Sequence, residues 1–209
     1  MPKTQRDGPA LSVVVLAGGQ SSRMGRDKAF LALRGRPFIA MITDEMLKLS
    51  DDVLVMIGDK RAEGFRAVLD GRVRVAPDGP FLTNPMGGML SAFPLLAYGY
   101  AAFLACDTPF VRAGVVEYLG RTAMGHDAAV PRWEDGRIEP LCAVYSVAKA
   151  KEAGAKALAG SRWGCRELIG FLNDVSYIDV GALRSIDPAL VSFRNVNSPE
   201  EYDSFNEGA

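Results

Sequence analysis

Residues 12–28 read S-V-V-V-L-A-G-G-Q-S-S-R-M-G-R-D-K, and the fold is decided by how this stretch is read. Val13, Val14, Val15 and Leu16 form a short apolar, mostly β-branched run, which suits a strand buried on both faces. Ala17-Gly18-Gly19 ends the run. Adjacent glycines let the backbone come close to a ligand, because no Cβ intervenes. Their N–H groups, with the hydroxyls of Ser21 and Ser22, are placed to converge on a polyanion as a nest. Arg23 adds a cationic fork and Lys28 a point charge, with Gly25 between them. Strand, Gly-rich turn and two cations together read as a phosphate cradle. No G-K-[ST] follows the glycines and no G-x-G-x-x-G spacing occurs, so neither a P-loop nor a dinucleotide fingerprint is present. A loop made flexible by Gly and Ser, carrying ordinary surface cations, is the competing reading.

Composition bounds what surrounds the cradle. With 209 residues, 48% of them hydrophobic, the chain has the material for one sizeable core. One domain over residues 11–209 is expected, with residues 1–10 a loose polar tail. Twenty-four basic against 25 acidic residues leave a net charge of −1. Nothing in that balance draws the protein to nucleic acid or to a membrane surface, so any polyanion site is local. Cys106, Cys142 and Cys165 are odd in number and widely spaced, which fits neither a disulfide framework nor a zinc motif. His126 is the single histidine, which removes most His-based triads and metal clusters. A reducing cytoplasm is the simplest setting. Residues 81–106 carry no charge, but Asn84, Pro85, Gly87, Gly88, Pro94 and Gly99 interrupt them, and a buried segment is expected rather than a membrane span.

Along the chain, strands alternate with helices. Strands are expected over 13–16, 53–57, 73–75, 101–106, 128–131, 141–145 and 177–180. A helix opens with Pro37 as its first residue and carries Phe38, Ile39, Ile42, Met46 and Leu47 at helical spacing. Residues 61–70 read as a short helix or turn. A Gly/Pro-rich loop over 79–88 leads into a helix reaching about Tyr98, and further helices are expected over 111–123, 148–158 and from Ser198. Such alternation implies right-handed crossovers and a mainly parallel sheet covered on both faces.

Two further landmarks stand out. In A-F-L-A-C-D-T-P, residues 102–109, Asp107 directly follows an apolar strand. Open α/β sheets bind ligands at the carboxyl ends of their strands, where the Gly-rich turn and Asp107 both fall. A hard carboxylate there suits Mg²⁺, which is usually held by one or two carboxylates plus substrate phosphates. Asp107 also reads as the N-cap of a helix beginning near Phe110. In R-N-V-N-S-P-E-E-Y, residues 194–202, an extended backbone puts Asn195 and Asn197 on one face. Asn197 reads equally as part of the N-cap region of the terminal helix.

The string L-A-G-G-x-S-x-R-M-G-x-D-K, with C-D-T-P and N-V-N-S-P-E, resembles the nucleotidyltransferases that build nucleotide-activated sugars and cofactors, and within them the molybdenum cofactor guanylyltransferases. The resemblance runs through nearly the whole chain and implies a single-domain, Rossmann-like, three-layer α/β/α fold. It implies transfer of GMP from GTP to the phosphate of molybdopterin, with Mg²⁺, and delivery of the product to a cofactor-carrying protein or recipient molybdoenzyme. Leu16, Ala17, Gly18, Gly19, Ser21, Ser22, Gly25, Lys28, Asp78 and Asp107 then form the nucleotide site. Arg23, Lys28 and Asp107 carry catalysis, Asp107 and Asn197 hold the metal, and Asn195 and Asn197 meet the acceptor. Residues 127–132 and 139–145 match acceptor-side segments, near which Arg132, Arg137, Arg162, Trp163 and Arg166 stand as acceptor contacts or as ordinary surface and core residues. Gly18 in place of the alanine commoner in cytidylyltransferase relatives favours guanine. The chain departs from the pattern after Asp78, where extra residues and N-P-M-G-G replace G-P-L-A-G, and at Gly58-Asp59, where the family tends to have an asparagine. A transferase using CTP or another phosphorylated acceptor, and a nucleotide-binding module without turnover, are the alternatives.

Overall fold

Alternation along the first strand explains the layering of the molecule. The computed structural model describes residues 8–19, 27–79 and 84–196. In β1 (Ser12–Leu16), Val13 and Val15 enter one apolar cluster and Val14 the other. Successive side chains of a strand point to opposite faces, so three buried valines in a row require cover on both sides. Burying one such side chain completely is worth about 1.5–3 kcal/mol.

After β1 comes a 3-10 turn, Lys28–Phe30, then a small hairpin of β2 (Ala32–Leu33) and β3 (Arg36–Pro37), then α1 (Phe38–Met46). β4 (Val53–Met56), α2 (Ala62–Arg66), β5 (Arg74–Ala76), α3 (Pro85–Ala92) and β6 (Tyr100–Ala105) follow. The rest comprises α4 (Ala113–Ala123), β7 (Ala128–Arg132), β8 (Cys142–Ser146), α5 (Val147–Ala159), α6 (Cys165–Ile169) and β9 (Val175–Asp179). Helices α1, α2 and α4 pack on the face that holds Val13 and Val15, and α3, α5 and α6 on the face that holds Val14. The result is a three-layer α/β/α sandwich.

The seven-stranded sheet has the order β5-β4-β1-β6-β8-β7-β9. β5, β4, β1 and β6 pair in parallel, as do β7 and β9, while β8 runs antiparallel to both β6 and β7. From β1 the chain moves outward to β4 and β5, then returns to the other side of β1 as β6. The switch point therefore lies between β1 and β6, and a crevice opens beyond their carboxyl ends. Because β8 is reversed, its amino end faces that same crevice: Leu104 pairs with Cys142, and the Ala105 N–H donates to the Leu141 carbonyl at 3.2 Å.

Several local expectations are corrected. Pro37 ends β3 and occupies the N-cap position of α1 rather than its first turn. The expected loop over 79–88 is cut short, because Asn84 caps α3 by accepting from the Gly87 N–H at 3.0 Å and Pro85 is its first residue. That helix ends at Ala92, well before Tyr98, and a 3-10 turn Phe93–Leu95 with Pro94 follows. Helix α4 begins at Ala113 with Arg112 at its N-cap, so Asp107 caps nothing there. Among the described residues no helix is long and apolar enough to cross a membrane. Of the expected tail, residues 1–7 fall outside the described residues, and Pro9 lies against Gly120 of α4. The terminal helix expected from Ser198 also falls outside them.

Candidate active site

The crevice is built first from backbone. The Ala17 N–H donates to the Met56 carbonyl at 2.7 Å, and the Cys106 N–H donates to the Leu16 carbonyl at 3.3 Å. The ends of β1, β4 and β6 are thereby held together where each hands over to a loop. Gly58 turns out of β4 with φ at +65°, a conformation that favours glycine. Gly18 lies directly against it: a Cβ on Gly18 would stand 2.9 Å from the Gly58 nitrogen and 2.9 Å from Asp78 Oδ2. Gly19, by contrast, faces open space.

Asp78 is fixed in this corner by its N–H, which donates to the Gly58 carbonyl at 3.1 Å. A Cβ on Gly88, at the start of α3, would lie 3.7 Å from the same carboxylate. Asp78 Oδ1 is buried with no hydrogen-bond partner among the described residues. Burial pushes the Asp78 carboxyl above the usual carboxylate value; the Gly58 hydrogen bond and Lys60 oppose that shift and Asp59 adds to it. Buried polar groups are normally satisfied, so an orphaned carboxylate oxygen walled by Gly18 and Gly88 reads as a ligand-binding group. Asp59 is exposed, and Gly58 contributes backbone only.

Four charges surround the mouth of the crevice. Lys28 Nζ lies 3.2 Å from Asp107 Oδ2, with both side chains about one-fifth exposed. Lys60 Nζ lies 2.8 Å from Asp27 Oδ2 and donates to the Ala17 carbonyl at 2.5 Å. Asp27 also caps the turn that carries Lys28, accepting from the Ala29 N–H at 3.2 Å. Lys60 was not anticipated from sequence; its only signal was a cation just after the second strand. Cys106 sits beneath these charges, and burial with neighbouring Asp107 pushes its thiol up to about 12.

On the other side of Asp107 opens a cavity of about 480 Å³. Asp107, Glu139, Leu141, Arg166, Phe193 and Asn195 are among its walls. Asn195 is brought there because the Val196 N–H donates to the Asp107 carbonyl at 2.9 Å, while the Val196 side chain is buried against Leu31, Leu33 and Phe38. The Asn84 side chain donates to the Trp163 carbonyl at 2.8 Å, which holds the segment leading to Gly164 and Cys165 against the cavity. The Trp163 ring itself is 55% exposed, so it fills no core position. Arg132 stacks over Tyr177, Arg137 pairs with Asp135 and stacks over Trp133, and Arg162 lies over Phe171. Of those arginines only Arg166 lines the cavity.

The structure thus brings Leu16, Ala17, Gly18, Gly19, Lys28, Asp78, Asp107 and Asn195 to one edge of the sheet. Ser21, Ser22, Arg23, Gly25 and Asn197 lie outside the described residues. Among the described residues no group of three His, Cys, Asp or Glu side chains forms a ready-made metal cage. The donor set is one hard carboxylate at the edge of the cavity, which fits an ion that completes its shell with water and substrate phosphates, as Mg²⁺ does.

A Gly-rich turn, a lysine–aspartate pair at a switch point and an adjoining cavity are the features of a nucleotide-handling α/β protein. Comparison with known proteins narrows this class. Residues 13–173 match the model of the MobA-like NTP transferase domain, and the chain belongs to that nucleotidyltransferase family. It is 38% identical over 195 residues to a probable molybdenum cofactor guanylyltransferase of Methanothermobacter thermautotrophicus, covering 91% of this chain and 96% of the relative. It is 33% identical over 197 residues to a molybdenum cofactor guanylyltransferase of Desulfosudis oleivorans, covering 93% of each. Molybdopterin-guanine dinucleotide biosynthesis protein A from Archaeoglobus fulgidus superposes with a TM-score of 0.79 at 26% identity, over 94% of this chain and 97% of that one. A 2-C-methyl-D-erythritol 4-phosphate cytidylyltransferase from Thermus thermophilus, 15% identical, shares the fold at a TM-score of 0.68, over 95% and 98% of the two chains.

Proposed function

We propose that the protein transfers GMP from GTP to the terminal phosphate of molybdopterin, releasing pyrophosphate. The observation that carries this reading is the position of Asp107. It stands between the glycine-walled corner of Gly18 and Asp78 on one side and the 480 Å³ cavity on the other, with Lys28 against its carboxylate. A transferase needs two substrates to meet over one such group.

In this reading the Gly18-Gly19 turn and the segment leading to Lys28 hold the triphosphate. Lys28 exchanges its contact with Asp107 for the phosphates and offsets the charge that builds on departing pyrophosphate. Arg23 joins it there. The Asp78 carboxylate accepts the N1–H and 2-amino hydrogens of guanine; cytosine offers only one such donor group, which supports GTP over CTP. Asp107, with Asn197, would hold Mg²⁺, whose chemistry at this place is to neutralise and polarise the α-phosphate. An oxygen of the acceptor phosphate forms a new bond to the α-phosphorus in line, as the bond to the β-phosphate oxygen breaks. A phosphate monoester is already largely ionised at neutral pH, its second pKa being about 6, so no histidine base is needed. Positioning and charge carry the step.

Such a product must pass to other proteins, so a cofactor-carrying partner or recipient molybdoenzyme is part of the proposal. The three unpaired cysteines fit a reducing cytoplasm. The deciding experiment is pyrophosphate release with Mg²⁺ and molybdopterin, loaded or not with molybdenum, offering GTP, CTP, ATP and UTP separately. Release with GTP alone, abolished by Lys28→Ala, is expected. Release with CTP instead would overturn the guanine assignment, and no release with any nucleotide would overturn the reaction.

A further inference from the structure

The cavity beyond Asp107 has one wall built with unusual care. Glu139 lines it from the segment between β7 and β8. The backbone of this segment is fastened three times. The Glu139 N–H donates to the Pro131 carbonyl at 3.0 Å, and the Cys142 N–H donates to the Glu139 carbonyl at 3.2 Å. The Tyr145 hydroxyl donates to the Pro140 carbonyl at 2.8 Å. The Glu139 side chain is fastened as well, since Oε1 accepts from the Trp133 indole N–H at 2.6 Å. No other hydrogen bond and no ion pair engages this carboxylate among the described residues, so Oε2 and the second lone pair of Oε1 are open to a ligand.

Trp133 does a second job. Its ring meets the ring of Phe193 edge-on, with centroids 5.8 Å apart and planes at 74°. Phe193 also lines the cavity. One half-buried indole therefore sets both an aromatic surface and a carboxylate, beside the group where the acceptor phosphate must arrive in the proposed reaction. An aromatic face takes a planar ring. A carboxylate held in place takes two parallel N–H donors, in hydrogen bonds strengthened by charge.

Resting on the acceptor reading above, we infer that Glu139 is the residue that reads the acceptor's heterocycle. It accepts the N3–H and 2-amino hydrogens of a 2-amino-4-oxopyrimidine edge, the edge a pterin presents, while the ring lies beside Phe193. Trp133 acts as the positioning residue for both.

Exchange of ring preference tests this. A carboxylate accepts twice, whereas the amide of Glu139→Gln accepts once and donates once. The variant still offers an oxygen to the Trp133 N–H, so it preserves the packing. Lumazine carries an oxygen where pterin carries the 2-amino group, and so presents one donor and one acceptor on that edge. Binding of 6-hydroxymethylpterin and 6-hydroxymethyllumazine is measured by ring fluorescence on the full-length protein. Saturating α,β-methylene GTP blocks the nucleotide corner. The wild-type protein is expected to prefer the pterin by roughly 10- to 100-fold, the scale of a lost charged hydrogen bond. Glu139→Gln reverses the order, and Trp133→Phe weakens pterin binding while keeping the wild-type order. In turnover, Glu139→Gln raises the KM for the acceptor and leaves the KM for GTP unchanged.

An unaltered ring preference in Glu139→Gln, or no binding of either ring by the wild-type protein, overturns the inference. If GTP-dependent pyrophosphate release persists in that case, the proposed reaction stands without it. If the preference reverses but no nucleotide supports release, the pterin site stands and the proposed reaction falls.

Discussion

Lys60 and Asp27 form an ion pair of 2.8 Å, and the same ammonium donates to the Ala17 carbonyl. Ala17 is where β1 gives way to the Gly-rich turn, and Asp27 is where the chain enters the turn bearing Lys28. One side chain thus ties the entry and exit of the cradle together. Lys60→Met retains the length of the stem and removes the tie. A charge-assisted hydrogen bond of this kind is worth about 1.5–3 kcal/mol, so the KM for GTP is expected to rise roughly tenfold or more while fold and acceptor KM hold. Steady-state kinetics with each substrate varied in turn check this, and an unchanged KM for GTP would remove the tie from the mechanism.

Asp107→Asn keeps the size of the side chain and the backbone hydrogen bond from Val196. It loses the charge that Lys28 faces and that a metal would require. Turnover is expected to fall by about 10²–10³, the usual scale for losing one electrostatic group at a reacting centre. Nucleotide binding, read by fluorescence titration, is retained. Full turnover in this variant would exclude Asp107 as a metal ligand.

Asp78 has a stability signature. Its carboxyl is raised by burial, so the folded state favours the protonated form. A group of that kind contributes its full stabilisation below the unfolded value, here 3.8, and loses it as pH climbs through the higher folded value. At neutral pH the ionised Asp78 therefore burdens the fold. Asp78→Asn is expected to raise the Tm at pH 7, with the gain shrinking as pH falls through the raised folded value and gone below about 3.8. The same variant binds GTP more weakly. Thermal unfolding of both proteins from pH 3 to 8 measures the difference, and a gain that grows toward acid would reverse the assignment.

Gly18→Ala places a methyl 2.9 Å from the Gly58 nitrogen, which is backbone and yields little. Overpacking of this kind costs about 1–3 kcal/mol. The expected result is a lowered Tm together with a raised KM for GTP, because Asp78 stands at the same distance on the other side. A variant with wild-type Tm and KM would show that the corner is looser than its contacts indicate.

All three thiols are raised to about 12, in each case mainly by burial. Only the thiolate is nucleophilic, so the folded protein is expected to resist iodoacetamide at pH 8 and to take up three equivalents once denatured. Mass spectrometry counts the adducts.

Much of this was legible in the chain because it rests on short-range chemistry. Three consecutive valines announce a strand covered on both faces, and Asp107 directly after an apolar strand falls at the sheet edge wherever that strand is parallel. Other features were hidden for stated reasons. The β2–β3 hairpin has two residues in each strand, too few for periodicity, and its turn at Arg34 and Gly35 uses positive φ at both. The α3 start was masked by Gly87 and Gly88, which read as loop although Asn84-Pro85 is a helix-opening pair. Helix α6 is a five-residue element. The partnership of Lys60 with Ala17 depends on the fold bringing two loops together, and that of Trp133 with Glu139 on the path of one irregular connection; no spacing in the sequence encodes either.

The reversal of β8 has an evolutionary consequence. The corner proposed for the nucleotide is made by loops that leave parallel strands, whereas the wall around Glu139 proposed for the acceptor is made by the loop that enters an antiparallel one. Among the described residues the two walls share the stretch around Asp107 and the start of α3, where Pro85 lines the cavity and Gly88 borders Asp78. Drift in the second loop would redirect the enzyme toward a new acceptor while the triphosphate machinery stayed intact. A scaffold divided in this way can diversify its chemistry one substrate at a time.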